Sequence, residues 1–298
     1  MELYAIKING WKNPMGFDYG VPQCSWKVRG NTGSRQETAR ISVGLDETLQ
    51  KVVFQKEGNL NPLGEALDFP LKPYTRYWYS IAVRSDQGEE ALSRPCFFET
   101  GKLDDPWKGQ WLGVEDGDTH PEFQKTFSLP EKPRSARLYI CGLGLFEAYL
   151  NGGKAGNDLL TPFLNDYTEH FQYCTYDVTS LLAQDNTLSV LLGDGWYRGH
   201  FGLGEPTHYE RPLALIAELC MEFADGHTET LRSDSGWQYR SSFTTLSDIY
   251  NGETQDYTKA SGDWKQPVLI PAPGRLCDRY SSPLHYMESI PVKEVIHT

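Results

Sequence analysis

The most constraining pattern in this chain is an alternation of apolar residues with a period of two. From Leu213 to Phe223 every odd-numbered residue is apolar. Shorter runs of the same kind lie at residues 4–8, 39–43, 77–83, 136–140 and 188–192. A period of two places alternate side chains on one face of a strand, and the sequence largely lacks the period of 3.6 that helices show. We therefore predict an all-β protein built from many short strands.

Length and charge limit the partners of the chain. A chain of 298 residues is longer than one small core usually organises, so two domains are expected. The formal net charge of −12 argues against binding to nucleic acid or to an anionic membrane, because both need clustered Lys and Arg. No apolar run approaches the ~18 residues that cross a bilayer. The expected partner is a neutral small molecule or a glycan, with no nucleic acid and no membrane.

The cysteines and the first residues bear on localisation. The six cysteines are scattered, mostly within apolar strand-like stretches. This arrangement is typical of reduced core residues in a reducing compartment. Residues 1–7 show no basic start followed by an apolar segment and a cleavage site, as a secretion signal would. We expect a cytoplasmic protein.

The first hundred residues carry the signals of a β-sandwich. The segment Leu71-Lys72-Pro73-Tyr74-Thr75-Arg76-Tyr77 resembles the entry to strand F of a fibronectin type III domain, where Tyr77 would be the corner tyrosine bonded back to upstream backbone. With Trp26 as the core tryptophan and residues 97–101 as the last strand, the resemblance predicts a fibronectin type III or Ig-like β-sandwich over residues 1–103. The polar joint Asp104-Asp105-Pro106 is the expected boundary.

The second predicted domain, residues 107–285, begins with clear strand and turn signals. Phe146, Ala148 and Leu150 run into Asn151-Gly152, and an Asn-Gly pair after such a run is a strong hairpin signal. Gly142-Leu143-Gly144 lies between two strand patterns and is interpreted as a turn. Many short strands of this kind fit a jelly-roll-like β-sandwich.

The segment from Leu192 to His200 has the composition of a ligand-binding loop. It holds three glycines together with Asp194, Trp196, Tyr197 and Arg198. Aromatic ring faces beside charged groups suit a sugar ring. Glycines and a tryptophan at a strand end also suit a bulge that holds Trp196 in the core. The residues alone leave both interpretations open.

Several motifs in order resemble the N-terminal region of bacterial α-L-rhamnosidases of glycoside hydrolase family 78. They are the Asn-Gly hairpin with residues 159–167, residues 173–179, the loop at 192–199 and residues 249–256. The family's Pro-Gly-Trp-Thr-Asp-Tyr run reads Pro162-Phe163-Leu164-Asn165-Asp166-Tyr167 here. The family tryptophan is therefore absent at this point, while Asp166 and Tyr167 stay in register.

This resemblance implies a fibronectin-like module and a β-sandwich that precede an (α/α)6 barrel, in enzymes that hydrolyse terminal α-L-rhamnose with inversion. Inversion needs two carboxyl groups roughly 6.5–9.5 Å apart. In the family they lie in the barrel, within a Glu-Arg-x-Gly-Trp-x-Gly-Asp-like segment that this sequence lacks. We therefore assign no catalytic residue, and we interpret Asp194 and Glu253 as ligand or loop residues. Residues 286–298 are expected to begin a linker towards a downstream catalytic domain.

The candidate ligand-binding residues come from these motifs, and a rhamnose-containing glycan or glycoside is the implied ligand. They are Asp194, Trp196, Tyr197, Arg198, Asp166, Tyr167 and Glu253. No cofactor is expected. Ca²⁺ is an alternative, with Asn165 and Asp166 as candidate ligands beside Asn157 and Asp158, because calcium prefers such oxygen ligands. The seven histidines lack the spacing of a zinc site.

Three functions are compatible with these patterns. The first is an accessory region of an α-L-rhamnosidase that packs against the barrel and helps to recognise the glycan. The second is a self-standing carbohydrate-binding protein, whose platform would include Trp196, Tyr197, Arg198 and an exposed Trp237. The third is a structural interaction module, since protein interfaces favour Tyr, Trp and Arg as sugar sites do.

Overall fold

The computed structural model describes residues 1–115, 120–200, 202, 204, 212–258, 262–280 and 282–296. The chain divides into two compact units, Met1–Trp107 and Lys108–Thr298. Both are built almost entirely from strands, which confirms the predicted all-β class with an Ig-like sandwich followed by a second β-sandwich. Among the described residues, no helix is long and apolar enough to cross a membrane.

The first unit, which is described throughout, is a sandwich of two sheets. Its strands are β1 (Glu2–Ile8), β2 (Met15–Phe17), β3 (Gln23–Arg29), β4 (Gln36–Gly44), β5 (Val52–Gly58), β6 (Glu65–Ala66), β7 (Arg76–Ser85), β8 (Glu90–Leu92) and β9 (Cys96–Thr100). One sheet has the order β1-β3-β6. The other has the order β2-β9-β7-β4-β5, with β8 paired to β7. Only β2 and β9 pair in parallel.

The core of this unit is filled by alternate residues of its strands. Trp26 on β3 is 2% exposed, and Ile41 on β4 and Tyr79 on β7 are fully buried in the same cluster. At the start of β7 the Lys72 N–H donates a 2.8 Å hydrogen bond to the Tyr77 hydroxyl. The prediction of a corner tyrosine at Tyr77 is therefore confirmed.

The first strand departs from simple alternation. The pattern predicts Tyr4, Ile6 and Ile8 on one face. In the structure Ala5 has a φ of 49°, and the pairing of β1 with β3 shifts between Tyr4 and Lys7. This bulge directs Leu3 rather than Tyr4 towards the core, and Tyr4 is 38% exposed. A single residue of bulge inverts the faces on either side of it.

The described part of the second unit holds a seven-stranded sheet, a five-stranded sheet and a hairpin. Its strands are β10 (Trp111–Gly113), β11 (Pro121–Ser128), β12 (Ser135–Leu143), β13 (Leu145–Leu150), β14 (Gly153–Lys154), β15 (His170–Asp177), β16 (Asp185–Gly193), β17 (Ala214–Glu222), β18 (Thr228–Arg232), β19 (Gln238–Ser241), β20 (Thr244–Asp248), β21 (Gly252–Gln255), β22 (Val268–Ile270) and β23 (Arg275–Asp278). A 3₁₀ turn spans Thr179–Leu181, and a one-turn helix, α1, spans Gly195–Arg198.

The order of these strands brings β16 to the middle of one sheet. The larger sheet runs β22-β10-β17-β12-β15-β23, with β18 paired to β17. The five-stranded sheet runs β14-β13-β16-β11-β19, and β20 and β21 form a separate hairpin. β23 pairs with β15 in parallel, whereas β15 with β12 and β12 with β17 pair antiparallel. The segment from residue 262 onward thus supplies the two short edge strands of this sheet, β22 and β23.

Two turns hold β13 in its place. Asn151 and Gly152 have φ values of 54° and 77° and join β13 to β14, which confirms the Asn-Gly hairpin. Gly144 alone connects β12 to β13 with a φ of 111°. A Cβ at Gly144 would lie 2.3 Å from the carbonyl oxygen of Gly193. Only glycine therefore allows β13 to approach the end of β16 this closely.

Candidate functional site

The loop after β16 folds as α1, and this turn separates its two aromatic side chains. The N–H groups of Tyr197 and Arg198 both donate to the Asp194 carbonyl at 3.1 Å. Tyr197 is only 1% exposed, whereas Trp196 and Arg198 are partly exposed. Successive side chains on a helical turn point about 100° apart, so the Tyr197 ring turns inward while the ring of the preceding Trp196 does not. The alternative that the loop buries Trp196 is wrong, because the buried ring is Tyr197.

Asp194 lies between an imidazole and a guanidinium. Its Oδ2 is 3.1 Å from Nε2 of His120, and its Oδ1 is 3.8 Å from Nε of Arg198. The His120 side chain is 5% exposed and that of Asp194 is 21% exposed. Nδ1 of His120 has no hydrogen-bond partner among the described residues. The carboxylate is thus held in one orientation while part of it stays open to solvent.

A second histidine and aspartate meet beside α1. Oδ2 of Asp248 accepts hydrogen bonds from the His200 N–H at 2.7 Å and from His200 Nδ1 at 2.9 Å. Its Oδ1 accepts the N–H groups of Tyr250 and Asn251 at 2.8 and 2.9 Å. Burial acts to raise the pKa of Asp248, but these hydrogen bonds outweigh it and bring the pKa to about 2. The ionised carboxylate therefore fixes the end of β20, the following turn and His200 together.

Two of the predicted motifs meet at this point. The Asp194 N–H donates to the Ser247 carbonyl at 3.2 Å, which ties α1 to β20. A Cβ at Gly193 would lie 2.3 Å from the Ser247 hydroxyl, and one at Gly199 would lie 2.7 Å from an Asp248 carboxylate oxygen. Gly193 and Gly199 are therefore needed because the hairpin packs directly on the loop. We call the group Asp194, Trp196, Arg198, His120, His200 and Asp248 the α1 cluster.

The motif at residues 159–167 also reaches α1, although through its core. The ring of Tyr167 lies 5.2 Å from the ring of Tyr197, and the two are 3% and 1% exposed. Both were predicted as ligand-binding residues. Burial leaves neither ring a face for a ligand, so this structure assigns them to packing beneath α1. Asp166 is exposed, but its Oδ1 accepts from the Thr168 N–H and hydroxyl, a bonding that lowers its pKa.

Glu253 lies on β21, and its carboxylate is exposed. Its negative charge contributes to the raised pKa of Tyr149 on β13, which shows that the hairpin lies near the face of the five-stranded sheet. The predicted ligand residues that present polar or aromatic groups to solvent are therefore Asp166, Asp194, Trp196, Arg198 and Glu253. Their part in ligand binding stays a prediction.

The calcium alternative fits the observed contacts poorly. Asn165 Oδ1 accepts two hydrogen bonds from Gln172, at 2.9 Å from its N–H and 3.1 Å from Nε2. Asp158 is buried and bonds Arg279 at 2.5 Å, so a cation already neutralises it. With Asp166 Oδ1 engaged by Thr168, each of Asn165, Asp158 and Asp166 already uses a side-chain oxygen in another contact. No cluster of three or more His, Cys, Asp or Glu residues suited to a metal occurs within the described ranges.

Trp237 is also placed differently from the prediction of an exposed platform. Its side chain is 1% exposed, and its indole N–H donates to the Arg232 carbonyl at 2.9 Å. The tryptophan precedes β19 and belongs to the core of the second unit, where its polar group is satisfied. It therefore offers no surface for a sugar in this structure.

His120 and Asp248 are members of the cluster that sequence reasoning missed. His120 stands one residue before β11, far from the motif loop in sequence, and carries no local pattern of its own. Asp248 directly precedes the motif that begins at Ile249, so the motif indicated this region of the chain but did not include Asp248 itself. The pairing of β11 with β16 is what brings His120 beside Asp194.

Comparisons with known proteins identify both units. Residues 131–284 match the family described as the alpha-L-rhamnosidase N-terminal domain, and residues 3–104 match the Rha78A-like, N-terminal immunoglobulin domain. An alpha-L-rhamnosidase of Formosa agariphila is 27% identical over 309 aligned residues, which cover 89% of this chain and 32% of that protein. One of Streptomyces avermitilis is 42% identical over 148 residues, which cover 49% of this chain and 14% of the relative.

Solved structures agree on the fold. The alpha-L-rhamnosidase of Dictyoglumus thermophilum superposes with a TM-score of 0.84 at 26% identity, over 98% of this chain and 37% of that one. The Streptomyces avermitilis alpha-L-rhamnosidase complexed with L-rhamnose superposes with a TM-score of 0.83 at 19% identity, over 98% of this chain and 47% of that one.

The match at residues 131–284 covers just over half of the 298 residues. The chain spans about a third or less of the length of the two curated relatives and less than half of the two solved chains. Together with the Ig-like match at residues 3–104, this coverage corresponds to the N-terminal modules of those proteins. The chain belongs to the α-L-rhamnosidase N-terminal domain family.

Proposed function

We propose that this chain is the accessory N-terminal region of an α-L-rhamnosidase and that it helps to recognise a rhamnose-containing glycan or glycoside. The observation that carries the proposal is the match of both units to the N-terminal modules of α-L-rhamnosidases, in the same order along the chain. Catalysis would reside in an (α/α)6 barrel, as the family resemblance implies, and this barrel would be the chain's partner.

The family comparisons support the proposal that this chain contributes to recognition while a separate barrel carries out catalysis. The relatives are named as alpha-L-rhamnosidases, and the matched region is a minor part of their length. An inverting mechanism requires a general acid and a base placed on opposite sides of the bond that is cleaved. We assign neither role to a residue of this chain. Its contribution would be to position the barrel and the ligand.

The α1 cluster is the surface that we propose for recognition. It joins an accepting carboxylate at Asp194, a donating guanidinium at Arg198 and an aromatic face at Trp196, with Glu253 on the neighbouring hairpin. Sugar hydroxyls both donate and accept hydrogen bonds, and the apolar face of a sugar ring packs on an aromatic ring. The hydrogen bond between Asp194 and His120 reduces the entropy that a ligand would have to remove on binding.

The interaction-module alternative has its own supporting observation. Tyr250 is 54% exposed and Tyr257 is 74% exposed, and both lie beside the β20–β21 hairpin. Exposed tyrosines are enriched at protein interfaces. We propose that this edge docks against another domain, which is compatible with an accessory role and makes a separate partner unnecessary. A cytoplasmic location is proposed on the six free cysteines.

The proposal is tested by kinetics of the full-length polypeptide with p-nitrophenyl-α-L-rhamnoside and a rhamnose-capped oligosaccharide. Asp194→Asn and Arg198→Gln should raise KM about fivefold or more for the oligosaccharide while kcat stays within about twofold, because they remove binding contacts and no reacting group. Arg29→Gln is the matched control, since Arg29 is an exposed arginine in the first unit that pairs with Glu2. Unchanged KM in both variants would remove the α1 cluster from recognition.

A further inference from the structure

The outer face of the five-stranded sheet carries a row of polar side chains that crosses every strand. Tyr149 of β13 pairs with Lys154 of β14 on one side and with Ser189 of β16 on the other. Ser189 pairs with Gln124 of β11, and Gln124 pairs with Gln238 of β19. Directly paired residues of antiparallel strands project from the same face. We call these five residues the polar row.

Burial shows that the polar row points away from the core. Its members are half-buried or exposed, whereas most of the residues next to them along the strands are buried, including Phe123, Ala148, Val190 and Tyr239. Four strand spacings of about 4.8 Å give the row a length of roughly 19 Å. A surface of that length exceeds what a monosaccharide would cover and fits a linear ligand of several units.

The charges around the row are compensated locally. Glu147 accepts hydrogen bonds from Lys154 and from the Tyr149 hydroxyl, the latter at 2.6 Å. In the next row Glu122 bonds Arg240 at 2.7 Å, and the Arg240 guanidinium lies 4.4 Å from the centre of the Trp264 ring. From Ser189 to the β19 end, the row consists of a hydroxyl and two amides. These groups donate and accept without a net charge, in a chain whose overall charge is −12.

Aromatic groups stand near both ends of the face. Tyr149 lies towards β14, and Trp264 packs on Arg240 beside β19. Burial, the hydrogen bond to Glu147 and the charge of Glu253 raise the pKa of Tyr149 to about 12, so its hydroxyl stays neutral at physiological pH. Large apolar side chains, which a protein interface would need at its centre, are few on this face, where Leu191 is one.

We infer that the polar row is a binding site for a neutral oligosaccharide several sugar units long, distinct from the α1 cluster. Amide and hydroxyl groups spaced one strand apart match the repeated hydroxyls of such a chain, and the aromatic ends match its ring faces. A charged polysaccharide gains nothing from a row whose ionic groups are already paired. This proposal does not depend on the rhamnosidase assignment. The polar row would contact the main chain of the oligosaccharide, and a terminal rhamnose would only be attached to that chain.

The test is calorimetric titration of this 298-residue chain with three probes. They are a neutral rhamnose-capped tetrasaccharide, the uncapped trisaccharide of the same backbone, and trigalacturonate. We expect the two neutral probes to bind and trigalacturonate to bind at least tenfold more weakly. Gln124→Ala with Gln238→Ala should weaken binding of the neutral probes about tenfold, which corresponds to about 1.4 kcal/mol. Gln55→Ala, an exposed strand glutamine of the first unit, should change nothing.

Equal binding of wild type and the double variant, or no binding of either neutral probe, overturns the inference. Loss of binding in Asp194→Asn with retention in the double variant would place the ligand at the α1 cluster and overturn it too. A change of oligomeric state in the double variant without sugar binding would identify a protein interface instead. Failure of the rhamnosidase proposal would appear separately, as absence of rhamnoside hydrolysis by the full-length polypeptide.

Discussion

Tyr77 and Asp248 each stabilise a turn by accepting backbone N–H groups on a side-chain oxygen. Tyr77 accepts one such group, from Lys72, at the entry to β7. Asp248 accepts three, from His200, Tyr250 and Asn251, and so joins two segments that are about fifty residues apart in sequence. An N–H that loses a buried acceptor costs about 1–3 kcal/mol, so a single carboxylate organises a large part of the α1 cluster.

Asp248 should therefore make a pH-dependent contribution to stability. Its folded-state pKa of about 2 lies below the ordinary 3.8, so the stabilisation is complete above the unfolded pKa and is lost as pH falls from about 4 towards 2. A shift of this size corresponds to about 2 kcal/mol. Asp248→Asn should lower the free energy of unfolding by about that amount at pH 7, and by roughly half as much at pH 3.

Urea denaturation at the two pH values checks this expectation. Asp68→Asn provides the control, because Asp68 is an exposed aspartate. A difference between wild type and Asp248→Asn that is the same at pH 7 and pH 3 would contradict the electrostatic account. It would indicate that packing of the side chain, rather than its charge, determines the loss in the free energy of unfolding.

At the level of elements, the strands were predictable because their signal is local. Alternation located β4, β7, β12, β16 and β17, and the Asn-Gly pair located the β13–β14 turn. The inward turn of Tyr197, the burial of Trp237 and the bulge at Ala5 were not predictable, because each depends on which distant strand packs beside it. The same holds for the candidate site. Its motifs were recognisable in the sequence, whereas His120 joins it only because β11 pairs with β16.

The connection between β12 and β13 depends on Gly144, where a side chain would not fit. Gly144→Ala would place a methyl group 2.3 Å from the Gly193 carbonyl oxygen and 2.8 Å from Leu213, at a φ that alanine rarely adopts. We expect a loss of about 3 kcal/mol or more in the free energy of unfolding, with the end of β16 and α1 displaced. Thermal unfolding monitored by circular dichroism measures the loss.

Gly226→Ala is the control that separates backbone strain at a positive φ from the steric clash of the added methyl group. Gly226 has a φ of 90°, but its added Cβ would meet no atom within 4 Å. Its replacement should cost only about 1–2 kcal/mol, the backbone component alone. Similar losses at Gly144 and Gly226 would mean that the close approach of Gly144 to Gly193 has no energetic consequence.

The whole molecule combines two β-sandwich units, and neither unit was assigned a catalytic residue. The family match shows what these units are, whereas the activity of the protein that contains them is a proposal. The Ig-like corner and the strands of the second sandwich follow from local sequence. The assignment of function instead rests on motif order, because β-sandwiches of this architecture serve unrelated roles.

We propose that this chain is an accessory region and that hydrolysis requires a further domain. The most direct measurement is release of p-nitrophenol from p-nitrophenyl-α-L-rhamnoside, assayed in parallel with this 298-residue chain and with a polypeptide continued into a family barrel. We predict hydrolysis by the longer polypeptide and none above background by this chain. Hydrolysis by the 298-residue chain itself would show that this chain carries catalytic residues, and Asp194, Glu253 and Asp166 would then be mutated first.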